Sequence, residues 1–278
     1  MTEILELEQL KNSVKDGDTE AMIELADYYK NQNNGAEAFK LVTKATLKRN
    51  AKAERRLGYY YEHGIGCDID HNLAFKYYEQ AANHGDYKAK YNLSLCYFKG
   101  IGTEKDHARA FILAKEAGNS FSGKSLSLLA YYYEHGIGTE QNYEQANETL
   151  LAALDAGEKN IYHRLGLYSY YGYGVEKDLH LAFNYFYKGS IEQEKKCYYF
   201  LAVMFAKGEG TEKDLSKAFY WYQQGANSGD ARAMYNIALY YENGIYVPKD
   251  NDKSLYWMRK ASEKGFDLAI NKMQLLNK

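Results

Sequence analysis

The residues Gly118-Asn119-Ser120-Phe121-Ser122-Gly123-Lys124-Ser125 satisfy the pattern G-x-x-x-x-G-K-S, whose backbone amides and lysine cradle phosphates. That chemistry needs a buried strand feeding the loop and a helix leaving it. The apolar stretch Ala110-Phe111-Ile112-Leu113-Ala114 stands where the strand belongs, but its register is helical, and no apolar run ending in a magnesium-binding Asp follows. A nucleotide-binding enzyme working through residues 118–125 is therefore a lesser alternative. His63 and His135 share the setting Tyr-Glu-His-Gly-Ile-Gly, which reads as a repeated turn with each histidine bonding locally at a helix end. Cys67, Cys96 and Cys197 are odd in number and unrelated in position, as reduced structural thiols are. No H-E-x-x-H, paired C-x-x-C or G-x-S-x-G occurs, so neither catalytic residues nor a metal or cofactor is expected.

What positions these residues is a repeat. Gly64, Gly100, Gly136, Gly172, Gly208 and Gly244 stand 36 residues apart. Leu57, Leu93, Leu129, Leu165, Leu201 and Ile237 recur in the same register, each followed by a small residue and preceded by four by Ala53, Ala89, Ser125, Ile161, Cys197 or Ala233. Steps of four place these side chains on one helical face, so each repeat begins with a helix A. A second ladder, Ala74, Ala110, Ala146, Ala182, Ala218 and Ser254, each with a small residue seven positions later, marks a helix B. Glycine closes helix A, and Asp70, Asp106, Asn142, Asp178, Asp214 and Asp250 stand where helix B needs its N-cap.

The ends follow the same grammar in edited form. Ala21, Leu25, Ala26 and Tyr29 mark a helix A whose loop shrinks to Asn33-Asn34-Gly35; Ile4 to Val14 reads as a polar first helix, and Ala269 to Leu276 as a last one. About sixteen helices result, in one domain over 1–278: a divergent capping segment at 1–50, six regular repeats at 51–265 and a capping helix at 266–278. The formal net charge of -2 argues against a nucleic-acid partner. The opening residues Met-Thr-Glu-Ile-Leu-Glu show no basic leader, and no long apolar run follows, so a cytoplasmic protein without membrane insertion is expected.

The pattern A-x-x-x-L-G-x-x-Y-x-x-G-x-G, then K-D and A-F-x-W-Y-x-x-x-A, resembles the Sel-one-like repeat, a relative of the tetratricopeptide repeat; Ala53 through Gly66 and Ala218 through Ala226 match closely. The resemblance implies an all-α, right-handed α-solenoid of antiparallel helix pairs whose A helices line a concave groove. It also implies a non-catalytic adaptor, scaffold or regulator of other proteins, similar to bacterial proteins of secretion and host interaction. An immunity or inhibitor protein clamping one toxin or effector is an alternative within the same class. The family's cysteine-rich branch, linked to enzymatic activity, carries paired cysteines in each repeat, which this chain lacks.

By similarity to tetratricopeptide grooves, the positions one before the first Ala of helix A, and two, three, six, nine and ten after it, face the concavity. The first reads Lys52, Lys88, Lys124, Asn160, Lys196 and Arg232, a basic stripe. The next two read Arg55, Tyr91, Ser127, His163, Tyr199, Tyr235 and Arg56, Asn92, Leu128, Arg164, Phe200, Asn236. Near the helix end come Glu62, Phe98, Glu134, Tyr170, Ala206, Glu242 and His63, Lys99, His135, Tyr171, Lys207, Asn243. Cations mixed with aromatic rings suit a protein or peptide partner, an acidic one in particular.

Overall fold

The computed structural model describes residues 2–120 and 122–276. Its helices fall into two units, Met1–Ala156 and Gly157–Lys278. Unit 1 holds α1 (Thr2–Lys15), α2 (Thr19–Asn31), α3 (Gly35–Thr46), α4 (Ala51–His63), α5 (His71–Asn83), α6 (Tyr87–Lys99), α7 (His107–Gly118), α8 (Gly123–His135) and α9 (Tyr143–Asp155). Unit 2 holds α10 (Tyr162–Tyr171), α11 (Leu179–Ile191), α12 (Lys196–Lys207), α13 (Leu215–Asn227), α14 (Ala231–Asn243), α15 (Asn251–Glu263) and α16 (Asp267–Leu276). No strand occurs among the described residues. Even-numbered helices are the A helices and odd-numbered ones the B helices. Within each unit they pack consecutively, each A helix that is followed by a B helix pairing most extensively with it, as an α-solenoid requires.

Local chemistry starts and stops the helices as the sequence predicts. The Asp70 carboxylate accepts the Leu73 N–H at 2.9 Å, and Asp106, Asn142, Asp178, Asp214 and Asp250 do the same for their own B helices. Gly64, Gly100, Gly136, Gly172, Gly208 and Gly244 end the A helices in the left-handed conformation. Large and small side chains interlock inside a helix pair: a Cβ on Gly58 would lie 2.8 Å from the Tyr78 ring, and one on Gly166 would lie 2.5 Å from Phe186.

The second glycine of the loop has a task at Gly102, Gly138 and Gly210 that the sequence pattern did not show. Gly102 lies against the first turn of α5, one repeat earlier, where a Cβ would stand 1.9 Å from the His71 carbonyl oxygen. Gly138 meets the His107 carbonyl in the same way, and Gly210 meets that of Leu179. The Gly-x-Gly loop is thus both a helix stop and the place where backbones of successive repeats touch. In the last loop Tyr246 takes this place, keeps a φ of 64° and packs its ring against Phe219.

One repeat contact in unit 2 replaces a missing cap. Ile161 stands at the N-cap of α10 and offers no side-chain bond; instead the Glu194 carboxylate, from the loop before α12, accepts the His163 N–H at 3.1 Å. Burial raises the Glu194 pKa despite this bond. The His163 ring lies among Phe186 and Phe200, and burial, then Lys196 and Arg232, push its pKa from 6.5 down to about 4.

Two stability measurements follow. Gly102→Ala adds overpacking of about 1–3 kcal/mol to left-handed strain of about 1–2 kcal/mol, whereas Gly85→Ala, with a φ of 88° and nothing within 4 Å of its Cβ, carries the strain alone. Urea unfolding therefore ranks Gly102→Ala below Gly85→Ala; equal losses would remove the contact from the packing. For His163, the unfolded chain takes up a proton below 6.5 while the folded one refuses it down to about 4, so its stabilising effect is lost as pH falls through that window, by at most about 3 kcal/mol. Glu194 works in the opposite sense, so the midpoint difference between the parent and His163→Phe isolates the histidine. That difference should change between pH 6.5 and 4, and a constant difference would contradict the buried neutral ring.

Candidate functional site

Of the basic stripe expected on the A helices, Lys52 and Arg232 are paired with carboxylates, while Lys88, Lys124 and Lys196 are exposed. In unit 1, Lys52 pairs with Glu20 at 2.5 Å, Arg55 holds both Asp86 oxygens at 3.0 and 3.1 Å, and Arg56 forms a two-pronged pair with Asp27. These carboxylates belong to neighbouring repeats, so the cations tie repeat to repeat. Lys88 and Lys124 remain exposed. Lys52, Arg55, Asp86, Lys88, Ser120 and Ser122 line a shallow cleft of about 430 Å³ at the N-terminal ends of α4, α6 and α8. Tyr91, Asn92 and Leu128 are half-buried, the last packed on the core formed by Leu93, Leu129 and Tyr132.

In unit 2 the same register is mostly internal packing. The Arg232 guanidinium lies 4.2 Å from the Tyr199 ring centre and 5.2 Å from that of Phe200, while Asp230 holds it through Nη2 at 2.6 Å. Phe200 stacks on Phe186 at 5.1 Å, Tyr235 meets Phe266 edge-on at 5.3 Å, and Asn236 Nδ2 donates to the Arg232 carbonyl oxygen at 2.8 Å. Arg164 is half-buried and Lys196 is exposed. These positions differ from repeat to repeat, yet packing holds most of them.

A different row of the A helices stands out in unit 1. It lies six residues past the first Ala and reads Tyr59, Leu95 and Tyr131, with His63, Lys99 and His135 one turn on. Tyr59 is 37% exposed and Tyr131 36%, while the tyrosines that follow them, Tyr60 and Tyr132, are fully buried. Each histidine lies with its ring 4.1 Å from the tyrosine ring four residues earlier, and its Nδ1 stands 3.0 Å from that tyrosine's carbonyl oxygen. A carbonyl only accepts, so Nδ1 carries a proton and donates it in this bond. The local hydrogen bond predicted for both histidines is thus present.

The row is continuous across repeats. Tyr59, Glu62, His63, Asn92, Leu95 and Lys99 line a cleft of about 190 Å³ between α4 and α6, floored by Tyr78 and Cys96. The Tyr78 hydroxyl donates to Glu62 Oε2 at 2.6 Å, and burial followed by this bond raises its pKa. Phe98 carries the surface onward, 6.2 Å from Tyr131. A sequence signal for this row existed: residues 59–66 and 131–138 are the same octapeptide, Tyr-Tyr-Tyr-Glu-His-Gly-Ile-Gly. Burial decides which tyrosine of each triplet is presented, and burial is set by the neighbouring helices.

The remaining motifs find structural places. The segment 118–125 joins two helices: Gly118 ends α7 and Gly123 begins α8, both buried, and Ser120 Oγ donates to the Ala117 carbonyl oxygen at 2.7 Å. Helix α7 stands where a phosphate loop needs its strand; Phe121 lies outside the described residues. Cys67, Cys96 and Cys197 are free, and burial raises the thiol pKa of Cys96 to about 12 and moves Cys197 in the same direction. Among the described residues no group of three or more His, Cys, Asp or Glu side chains is placed to hold a metal ion, and no helix is long and apolar enough to cross a membrane.

Comparison with known proteins agrees with this architecture. The profile of the Sel1 repeat matches residues 51–86, 88–120, 123–157, 162–190, 195–230 and 231–266. The solved structure of c5321, a protective antigen of uropathogenic Escherichia coli with an SLR fold, is 26% identical and superposes with a TM-score of 0.86 over 95% of this chain and 57% of that one. A Sel1 repeat protein from Oxalobacter formigenes is 29% identical, with a TM-score of 0.78 over 86% of this chain and 96% of that one. Among curated proteins, the ERAD-associated E3 ubiquitin-protein ligase component HRD3 of Candida glabrata is 39% identical over 70 residues, 25% of this chain and 8% of that protein. The chitin synthase regulator SKT5 of Saccharomyces cerevisiae is 39% identical over 77 residues, so this chain spans about a tenth of these two relatives, 8% and 11%. Six matched repeats, covering most of the sequence, make this chain a member of the Sel1 repeat family.

Proposed function

We propose that the protein is a non-catalytic scaffold or regulator that binds a partner protein along the A-helix face of unit 1. The observation carrying this reading is the contrast within that face. Lys52, Arg55 and Arg56 are paired with carboxylates of neighbouring repeats, while Tyr59, Leu95, Phe98 and Tyr131 form an apolar and aromatic row with two rings more than a third exposed. Rigid helices present that row in fixed order, so little ordering cost remains for binding, and partly exposed tyrosines are the residue type that dominates interface energies. The names of the relatives, a ligase component and a chitin synthase regulator, describe proteins that serve other proteins.

Affinity capture followed by quantitative binding to the captured partner tests the surface. Two truncated aromatic anchors cost about 2 kcal/mol each, so Tyr59→Ala with Tyr131→Ala lowers affinity by about 10²–10³-fold. Reversal of the exposed lysines Lys88, Lys124 and Lys196 to Glu changes it by less than about tenfold, as rim charges do. Both variants should keep the parent's circular dichroism. Unchanged affinity in the folded double alanine variant would move the partner off this face, and a large loss in the lysine variant alone would return the binding surface to the stripe.

A further inference from the structure

The B helices of unit 2 carry an exposed aromatic ridge that the A-helix surface does not use. Tyr220 on α13 and Tyr256 on α15 hold the same register, are 52% and 53% exposed, and stand edge-on to the tryptophans that follow them, at 5.0 and 5.2 Å. Trp221 and Trp257 pack against the core of the unit, so both tyrosines are presented in a fixed orientation. The same register reads Lys76, Ile112, Glu148 and Asn184 in the earlier repeats, so the ridge is confined to these two helices. The charges around it indicate what covers it. On α15, Ser254, Met258 and Ala261 face the core, and the opposite face carries Asp252, Tyr256 and Lys260 in steps of four, about 6 Å apart along the axis. Asp252 and Lys260 are exposed and, among the described residues, form no ion pair within the chain; Lys260 Nζ lies 5.4 Å from the Tyr256 ring centre. With Asp one turn before the tyrosine and Lys one turn after it, the face is its own complement when reversed end to end.

We propose that this ridge is covered by a second copy of the chain: the B-helix faces of unit 2 meet antiparallel across a two-fold axis, Tyr256 on Tyr256, with Asp252 of each copy opposite Lys260 of the other. An axis running across the helices sets Tyr220 on Tyr220 as well, and the positions flanking it, Ser216 and Gln224, are neutral and repel nothing. In this register Arg259 falls opposite Lys253, whose charge Asp250 already holds at 3.0 Å and whose Nζ turns to the Tyr241 ring, 5.3 Å from its centre. Two helices from each copy make an interface of the small, transient class, so a dissociation constant of about 10–100 μM is expected. The contact uses α13 and α15 only and does not depend on the A-helix surface. Its consequence is valency, because each assembly then carries the row from Tyr59 to Tyr131 twice.

Sedimentation velocity over about 1–200 μM protein tests this, and a reversible monomer–dimer equilibrium should appear within that range. Tyr220→Ser with Tyr256→Ser should weaken it by about 100-fold, leaving monomer throughout. Asp252→Lys and Lys260→Asp each place two like-charged pairs across the axis, and each alone should weaken association by about tenfold. An equimolar mixture of these two variants sets every Lys against an Asp and should dimerise as tightly as the parent. All four positions are exposed, so the variants should keep the parent's circular dichroism. A parent that stays monomeric at about 200 μM would overturn the proposal. So would a dimer that the tyrosine substitutions leave unchanged, or a mixture that associates no more tightly than the charge variants do alone.

Discussion

The structure depends on a close backbone contact that glycine makes at Gly102, Gly138 and Gly210. Where the loop of one repeat crosses the first turn of the preceding B helix, as Gly102 crosses His71, a single added carbon would sit 1.9 Å from a carbonyl oxygen. Two helices of about a dozen residues cannot bury a core between themselves, so each repeat must be held against the next at a fixed distance. The loop contact sets that distance, and the Ala ladders then bring the helices close enough for Tyr78, Phe186 and their counterparts to fill what remains.

Polar side chains complete the stacking. Arg55 with Asp86, Arg56 with Asp27, and Glu194 with the α10 backbone each join one repeat to its neighbour, and Arg232 is pinned by Asp230 over the rings of Tyr199 and Phe200. Partly buried, bidentate and shared between repeats, such pairs fix orientation more than they add stability. Their consequence for function is subtraction. Once these groups are occupied internally, the A helices of unit 1 still present the exposed Lys88 and Lys124 and the row from Tyr59 through Leu95 to Tyr131.

Much of this was legible in the residues. A period of 36, caps at fixed offsets and left-handed glycines predict the helices, their order and their ends, because each of those signals acts within a few residues of itself. The candidate surface was less legible. Arg55 reads as a free cation until Asp86, 31 residues away, is seen to hold it, and His163 reads as groove-facing until Phe186 and Phe200 enclose it. Partners one repeat apart are invisible to local patterns, so the register located the right helix faces but did not separate the side chains that bind repeats from those left to bind a partner.

Hydroxyl-radical footprinting of the tyrosines, in the free protein and with its partner bound, tests the A-helix surface most directly. Tyr220 and Tyr256, exposed on B helices at 52% and 53%, serve as the internal reference for Tyr59 and Tyr131. Binding along the A helices predicts that Tyr59 and Tyr131 become protected while Tyr220 and Tyr256 keep their free reactivity. Protection of Tyr220 and Tyr256 with Tyr59 and Tyr131 left accessible would contradict it.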